Sequence, residues 1–273
     1  MSADATVEAA LAGGTEYGRR AATVASRILF PTLTIAGLVG LWWLATIVFG
    51  WQKFIVPTPK DVWHELVVQR HLLPGHFWTT LVETLEGFGL AIAIGVPVAV
   101  LIAYSRVLES TIYPALVALN AIPKIAIAPL FVIWMGFGAG PKIAMVVLIC
   151  FFPIVISTAT GLKATPAELV DLARSLSASH LQQFVKVRFP AALPYVFVGL
   201  KVAITLAVIG AVVGEFVGAS KGLGYVIVAS GQNANTSLAF AAIVLLSIMS
   251  IVLFYVLVLA ERLLVPWAEH EQR

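Results

Sequence analysis

The chain has 273 residues, of which 17 are Lys or Arg and 14 are Asp or Glu, so charged types make up only 11%. An ordinary soluble domain carries about a quarter. Apolar types make up 60% and the mean hydropathy is +0.98. A soluble fold of this length must wet its outer layer and has no place for that much apolar surface. This excludes soluble enzymes, disulfide scaffolds and disordered tails, and points to an integral membrane protein. The net charge of +3 and the pI near 9.1 read as basic residues gathered in membrane-flanking loops rather than as a nucleic-acid footprint. The single Cys150 lies in an apolar run, so no disulfide or thiolate metal site forms within one chain.

Taken in order, 1–26 reads as a flexible tail, held in the cytoplasm by Arg19, Arg20 and Arg27. A helix crossing the hydrocarbon needs about 20 apolar residues. Runs of that kind are Ile28–Gln52, Gly87–Ser105, Ile143–Leu162, Tyr195–Val217 and Leu238–Ala260. A further run, Thr111–Gly140, is broken by Pro114, Pro123 and Pro129 and interrupted by Lys124. The expected fold is all-α, a polytopic membrane protein with six transmembrane helices. With six spans the termini share a side. That side holds ten Lys or Arg (Arg19, Arg20, Arg27, Arg106, Lys163, Arg174, Lys186, Arg188, Arg262, Arg273), against five on the other (Lys53, Lys60, Arg70, Lys142, Lys221). The excess makes it the cytoplasmic one.

Two loops exceed what a hairpin needs. In the outer one, Thr58-Pro59-Lys60-Asp61 is a helix-start signal, and Val62, Trp63, Leu66 and Val67 form one apolar face of a surface helix. The inner one, 163–194, holds two candidate capping boxes, Thr165-Pro166-Ala167-Glu168 and Ser179-His180-Leu181-Gln182. Leu169, Leu172, Ala173 and Leu176 recur at helical spacing after the first, and Leu181, Phe184 and Val185 after the second. The loop therefore reads as two short amphipathic helices meeting at a corner near Ser177–Ser179.

Motifs for catalysis are missing or incomplete. His64-Glu65-Leu66-Val67-Val68 has no second zinc ligand, and no Gly-Lys-Ser or Gly-Lys-Thr provides a phosphate-binding loop. No metal, cofactor or catalytic group is expected. A stand-alone six-span carrier is the competing reading, but the inverted repeats and paired broken helices that would support it are not evident.

The inner loop resembles the EAA loop of type I ABC-importer permeases: Glu-Ala-Ala, three residues, Gly, nine residues, then Ile-x-Leu-Pro. Asp171-Leu172-Ala173 stands at the Glu-Ala-Ala, Ser177 at the Gly, and Val187-Arg188-Phe189-Pro190 at the end, with every spacing kept. Ser in place of Gly carries a steric penalty if the corner needs a positive φ. The likeness extends over roughly 30–267: Leu85–Val100, Ala121–Gly138, Pro153, Glu215, Gly222-Leu223-Gly224-Tyr225, and Glu261-Arg262 with Pro266-Trp267 are similar to the nitrate/sulfonate/taurine/bicarbonate branch.

The resemblance implies a permease domain over 27–267, with its coupling loop at 163–194, and a short cytoplasmic tail at 268–273. It implies a multi-pass protein of the bacterial inner membrane, both termini cytoplasmic. Its partners would be a second copy of the chain, two cytoplasmic ATPase subunits, a periplasmic or lipid-anchored solute-binding protein, membrane lipid and a small solute, with no nucleic acid. Glu168, Asp171, Ala173, Ser177, Ala178, Ser179, His180, Val187 and Pro190 would form the ATPase-coupling loop. Asn120, Lys124, Trp134, Met135 and Glu215 are the candidates for the translocation pathway. Lys124, an ionisable group in an apolar segment, points to an anionic solute.

Overall fold

The computed structural model describes residues 29–30 and 32–267. The expected tails, 1–26 and 268–273, lie outside the described residues, as do Arg19, Arg20 and Arg27. The chain forms two compact units divided after His64.

In the first unit, α1 (Thr32–Val48) is apolar on every side, as a membrane helix is. The α2 helix (Pro59–Val68) opens as its sequence requires. Thr58 N–H donates to Asp61 Oδ2 at 3.1 Å, and Asp61 N–H donates to Thr58 Oγ1 at 3.2 Å. This reciprocal pair satisfies two of the N–H groups that a helix start leaves free. Lys53 Nζ reaches Asp61 Oδ1 at 2.8 Å. Together the Lys53 ammonium and the Thr58 hydroxyl hold the Asp61 carboxyl below its usual range.

The second unit is built on three helices: α3 (Leu73–Tyr104), α6 (Gly140–Lys163) and α9 (Phe189–Phe216). Phe88 and Ala91 of α3, Val146, Cys150 and Ile154 of α6, and Phe197, Ala203 and Ala207 of α9 share one buried core. Glycines set the spacing. A β-carbon on Gly87 would fall 2.5 Å from Val146 Cβ, one on Gly199 2.5 Å from Ser157 Cβ, and one on Gly210 2.9 Å from Val146 Cα. Without side chains at these crossings α3 and α9 approach α6 at backbone distance, which is how helices pack where water gives no driving force. Cys150 is buried, its Sγ donating to the Ala203 carbonyl at 3.1 Å.

Around this core lie α4 (Arg106–Ala121), a 3₁₀ turn (Lys124–Ile127), α5 (Ala128–Met135), α7 (Ala167–Ser175), α8 (His180–Gln183), a π-turn (Phe184–Arg188), α10 (Leu223–Gln232) and α11 (Thr236–Leu264). Lys201 of α9 pairs with Glu261 of α11 at 2.9 Å.

The chain is thus an all-α polytopic membrane protein with four to five apolar spans. Among the described residues, four helices are long and apolar enough to cross a bilayer, and Val107–Ala121 with Lys124–Met135 forms a fifth only as a pair bent by 82°. The bend follows from Pro123, which holds Ile122 in extended backbone (ψ 131°) and ends α4 there. Of the first expected span, Ile28–Gln52, the described residues include the shorter apolar helix α1. Gly87, expected to begin the second span, instead lies well inside α3, which starts at Leu73.

Candidate functional site

Two clusters of polar and strained residues stand at opposite ends of the second unit. The first is the corner between α7 and α8. Ser177 has φ +59°, and the helix before it ends in a Schellman motif. Ala178 N–H donates to the Ala173 carbonyl at 3.0 Å, and Ser177 N–H to the Arg174 carbonyl at 2.9 Å. Position 177 therefore does require the left-handed conformation that glycine adopts without strain, and a serine holds it. Ser179 then caps α8: its Oγ accepts from Gln182 N–H at 3.3 Å, while Gln182 Oε1 accepts from Ser179 N–H at 2.8 Å. The second capping box is formed as its residues predict.

The first is not. Pro166 is the N-cap of α7, with ψ 133° and no side-chain bond, and Thr165 Oγ1 turns back to the Leu162 carbonyl at 3.3 Å. Glu168 is exposed on the first turn of α7. Asp171 is exposed and pairs with Arg174 at 3.3 Å.

The apolar residues of α7 divide between two faces. Val170 and Ala173 are buried, whereas Leu169, Leu172 and Leu176 point outward, Leu176 being 74% exposed. Leu181 of α8 is 71% exposed. Ser177, Ser179 and His180 are exposed and Ala178, Val187 and Pro190 half-buried.

The corner is anchored from beneath. Gln183, 6% exposed, donates from Nε2 to the Ala178 carbonyl at 2.8 Å. Phe184 meets the Tyr104 ring edge-on at 5.7 Å, and the Arg188 guanidinium lies 5.3 Å over the same ring. Lys163 pairs with Glu109 beside them. The segment after the corner therefore packs on Tyr104 at the end of α3 and runs on into α9, while the Lys163–Glu109 pair joins the ends of α6 and α4. Gln183 and Tyr104 were not singled out from sequence and Arg188 was named only within the loop motif and the charge count, because only the tertiary fold brings them together.

The second cluster closes the other end. The first three N–H groups of the α10 start are each taken by a side chain from another helix. Gly222 N–H donates to His76 Nδ1 at 3.0 Å, Leu223 N–H to Thr80 Oγ1 at 2.8 Å, and Gly224 N–H to Glu215 Oε2 at 2.5 Å. Thr80 Oγ1 in turn donates to Glu215 Oε1 at 2.7 Å. A carboxylate at a helix N-terminus also meets the positive end of its dipole. Gly222 has φ +115°, and a β-carbon there would collide with the Glu215 carboxylate. Beside it Lys142 Nζ meets Glu83 Oε1 at 2.6 Å, both side chains under 10% exposed. Glu215, named for the pathway, is 1% exposed and has both oxygens occupied within this cluster.

The other pathway candidates lie on the broken span. Lys124 Nζ and Asn120 Oδ1 are hydrogen-bonded across the break. Trp134, 68% exposed, and Met135, 54% exposed, end α5, where Trp134 packs edge-on to Phe131 at 5.9 Å. Among the described residues, no group of three His, Cys, Asp or Glu side chains converges as metal ligands would.

Comparison with known proteins places this arrangement. Residues 91–270 match the family model of the binding-protein-dependent transport system inner membrane component. A probable ABC transporter permease protein of Haemophilus influenzae is 39% identical, the match covering 84% of this chain and 94% of that one. The formylaminopyrimidine transport permease ThiX of Halalkalibacterium halodurans is 35% identical over 89% and 97%. The taurine transport system permease TauC of Escherichia coli is 27% identical over 86% and 88%. Two inward-facing structures of the MetNI methionine ABC transporter superpose with TM-scores of 0.64 and 0.63 at 24% and 23% identity, covering 71% of this chain and 96% of theirs; they share the fold. The chain therefore belongs to the binding-protein-dependent transport system inner membrane component family, as a permease subunit of an ABC-type importer of the nitrate/sulfonate/taurine type.

Proposed function

We propose that this chain forms, with a second copy of itself, the translocation pathway of an importer for a small anionic solute. The α7–α8 corner is its coupling point to two cytoplasmic ATPase subunits. The observation that carries the reading is the corner itself: Leu172, Leu176 and Leu181 present apolar side chains outward from helices that are braced underneath by Gln183, Tyr104 and Arg188. An exposed apolar patch on a braced support suits a protein partner that pushes. Closure of the ATPase dimer on ATP would shift the corner and, through the braced ends of α3, α4, α6 and α9, rock the spans.

In this reading 163–194 is the EAA-type coupling loop and lies in the cytoplasm, with six spans, both termini inside and the chain in the bacterial inner membrane. Glu168, Asp171, His180, Val187 and Pro190 flank the docked corner of Ser177, Ala178 and Ser179. A solute-binding protein delivers the solute at the opposite face. Asn120 and Lys124 at the break of the α4–α5 pair, with Trp134 and Met135, face the pathway; Lys124 supplies the preference for an anion. Glu215 steadies the outer end by holding α10. The relatives are named for formylaminopyrimidine, aliphatic sulfonates, riboflavin and taurine, so this framework is compatible with chemically different solutes.

Ser177→Trp tests the docking assignment. The variant is expected to insert normally in the membrane but to lose ATPase association and ATP-driven uptake. Unchanged uptake overturns it.

A further inference from the structure

A cavity of about 480 Å³ opens at the end of the second unit opposite the α7–α8 corner, between the start of α3, the loop after α9, α10 and the start of α11. It holds many times the roughly 30 Å³ share of one water, and its size falls within the range of small-molecule sites.

The polar groups on its wall have a common character. Lys221 is exposed and forms no ion pair among the described residues. His76 accepts the Gly222 N–H at Nδ1, so a neutral ring carries its proton on Nε2 and offers a donor. Ser230 is 4% exposed, and its Oγ has no hydrogen-bond partner. A buried hydroxyl without a partner costs free energy unless something in the cavity completes it. Tyr225 stacks on His76 at 5.9 Å and 25°, making a flat wall. No Asp or Glu lines the cavity. Glu65, whose Oε1 takes the Asn235 amide at 3.5 Å, is not among the lining side chains.

We infer that this cavity is a binding site for a small organic anion, with Lys221 and Ser230 holding its carboxylate or sulfonate and Tyr225 flanking its body. A site with one ammonium, several neutral polar groups (Ser220, Asn233 and Asn235 besides His76 and Ser230) and no carboxylate attracts anions and rejects cations. The inference deepens the transport reading, on which it rests for its use as a waiting position before the pathway. Binding itself needs only the folded chain.

The test is equilibrium binding to the purified full-length permease in lipid nanodiscs, without ATPase, read by saturation-transfer NMR. The probes are benzoate and its neutral analogue benzamide. Saturable benzoate binding is expected, with benzamide at least tenfold weaker. Lys221→Gln should weaken benzoate at least tenfold and Ser230→Ala severalfold, both variants remaining monodisperse. Equal binding of the two probes, benzoate affinity unchanged in Lys221→Gln, or no saturation up to about 10 mM each overturns the site. ATP-driven uptake by the complete transporter is measured in parallel. Uptake without benzoate binding refutes this site and leaves the transport reading standing; binding in a chain that supports no uptake with its ATPase does the reverse.

Discussion

Ser177→Gly should make the α7–α8 corner more stable. The serine is held at φ +59°, where an L-residue costs roughly 1–2 kcal/mol relative to right-handed backbone. Glycine removes that cost but returns roughly 0.4–1 kcal/mol through the greater freedom of its unfolded chain. The net gain is about 0.5–1 kcal/mol, a twofold to fivefold slower local opening at about 1.4 kcal/mol per tenfold. The amides that report it are those of residues 177 and 178, bonded to the Arg174 and Ala173 carbonyls. Hydrogen exchange read by mass spectrometry on the intact protein in nanodiscs, over a peptide spanning 170–180, measures the change. Ala234, at φ +54° after α10, ends its helix with the same pair of bonds, so Ala234→Gly should slow exchange there by a similar factor. Ser177→Val, β-branched at the same φ, should speed it. Faster or unchanged exchange in Ser177→Gly would refute the strain argument.

Glu215→Gln removes one acceptor from the pair serving Thr80 and Gly224 and is expected to cost about 2 kcal/mol in reversible unfolding from mixed micelles; a loss under 0.5 kcal/mol would contradict the capping role. Lys142→Ala strands the buried Glu83 carboxylate and should cost about 3–5 kcal/mol, most of it recovered when Glu83→Leu is added. The α2 start should be acid-sensitive. Asp61 titrates below its unfolded value, so its contribution is complete above about pH 3.9 and is lost as pH falls through the depressed folded value. Amide protection at Asp61 and Val62, flat from pH 7 to 5, should fall below pH 4 in the native chain and show no such step in Asp61→Asn.

What the sequence made legible was local. Charge-free runs located the apolar helices, and Thr58 and Ser179 cap as their spacing with Asp61 and Gln182 demands. Thr165 shows the limit: the same pattern fails because α7 takes Pro166 as its N-cap, one residue later, and the Thr165 hydroxyl donates to the Leu162 carbonyl instead. The position of Ser177 in the loop motif foretold the strained φ. The early start of α3 was hidden because His76, Glu83 and Glu86 interrupt its apolar run, and Glu83 is neutralised by a lysine 59 residues away. Thr80 and Glu215 meet across 135 residues, which no local pattern encodes. The leucine spacing of α7 gave the helix but not its orientation: Val170 and Ala173 turn inward while the larger Leu172 and Leu176 stay outside.

The most direct test of the account labels Leu176→Cys with a benzophenone maleimide in the assembled transporter. Cys150 is 0% exposed, so the new thiol at a 74% exposed position is the one that reacts. Illumination should cross-link this site to the ATPase subunit, while the same label on Gln232→Cys, at the opposite end, should not. A cross-link to the ATPase from Gln232→Cys and none from Leu176→Cys would contradict the coupling role of the α7–α8 corner.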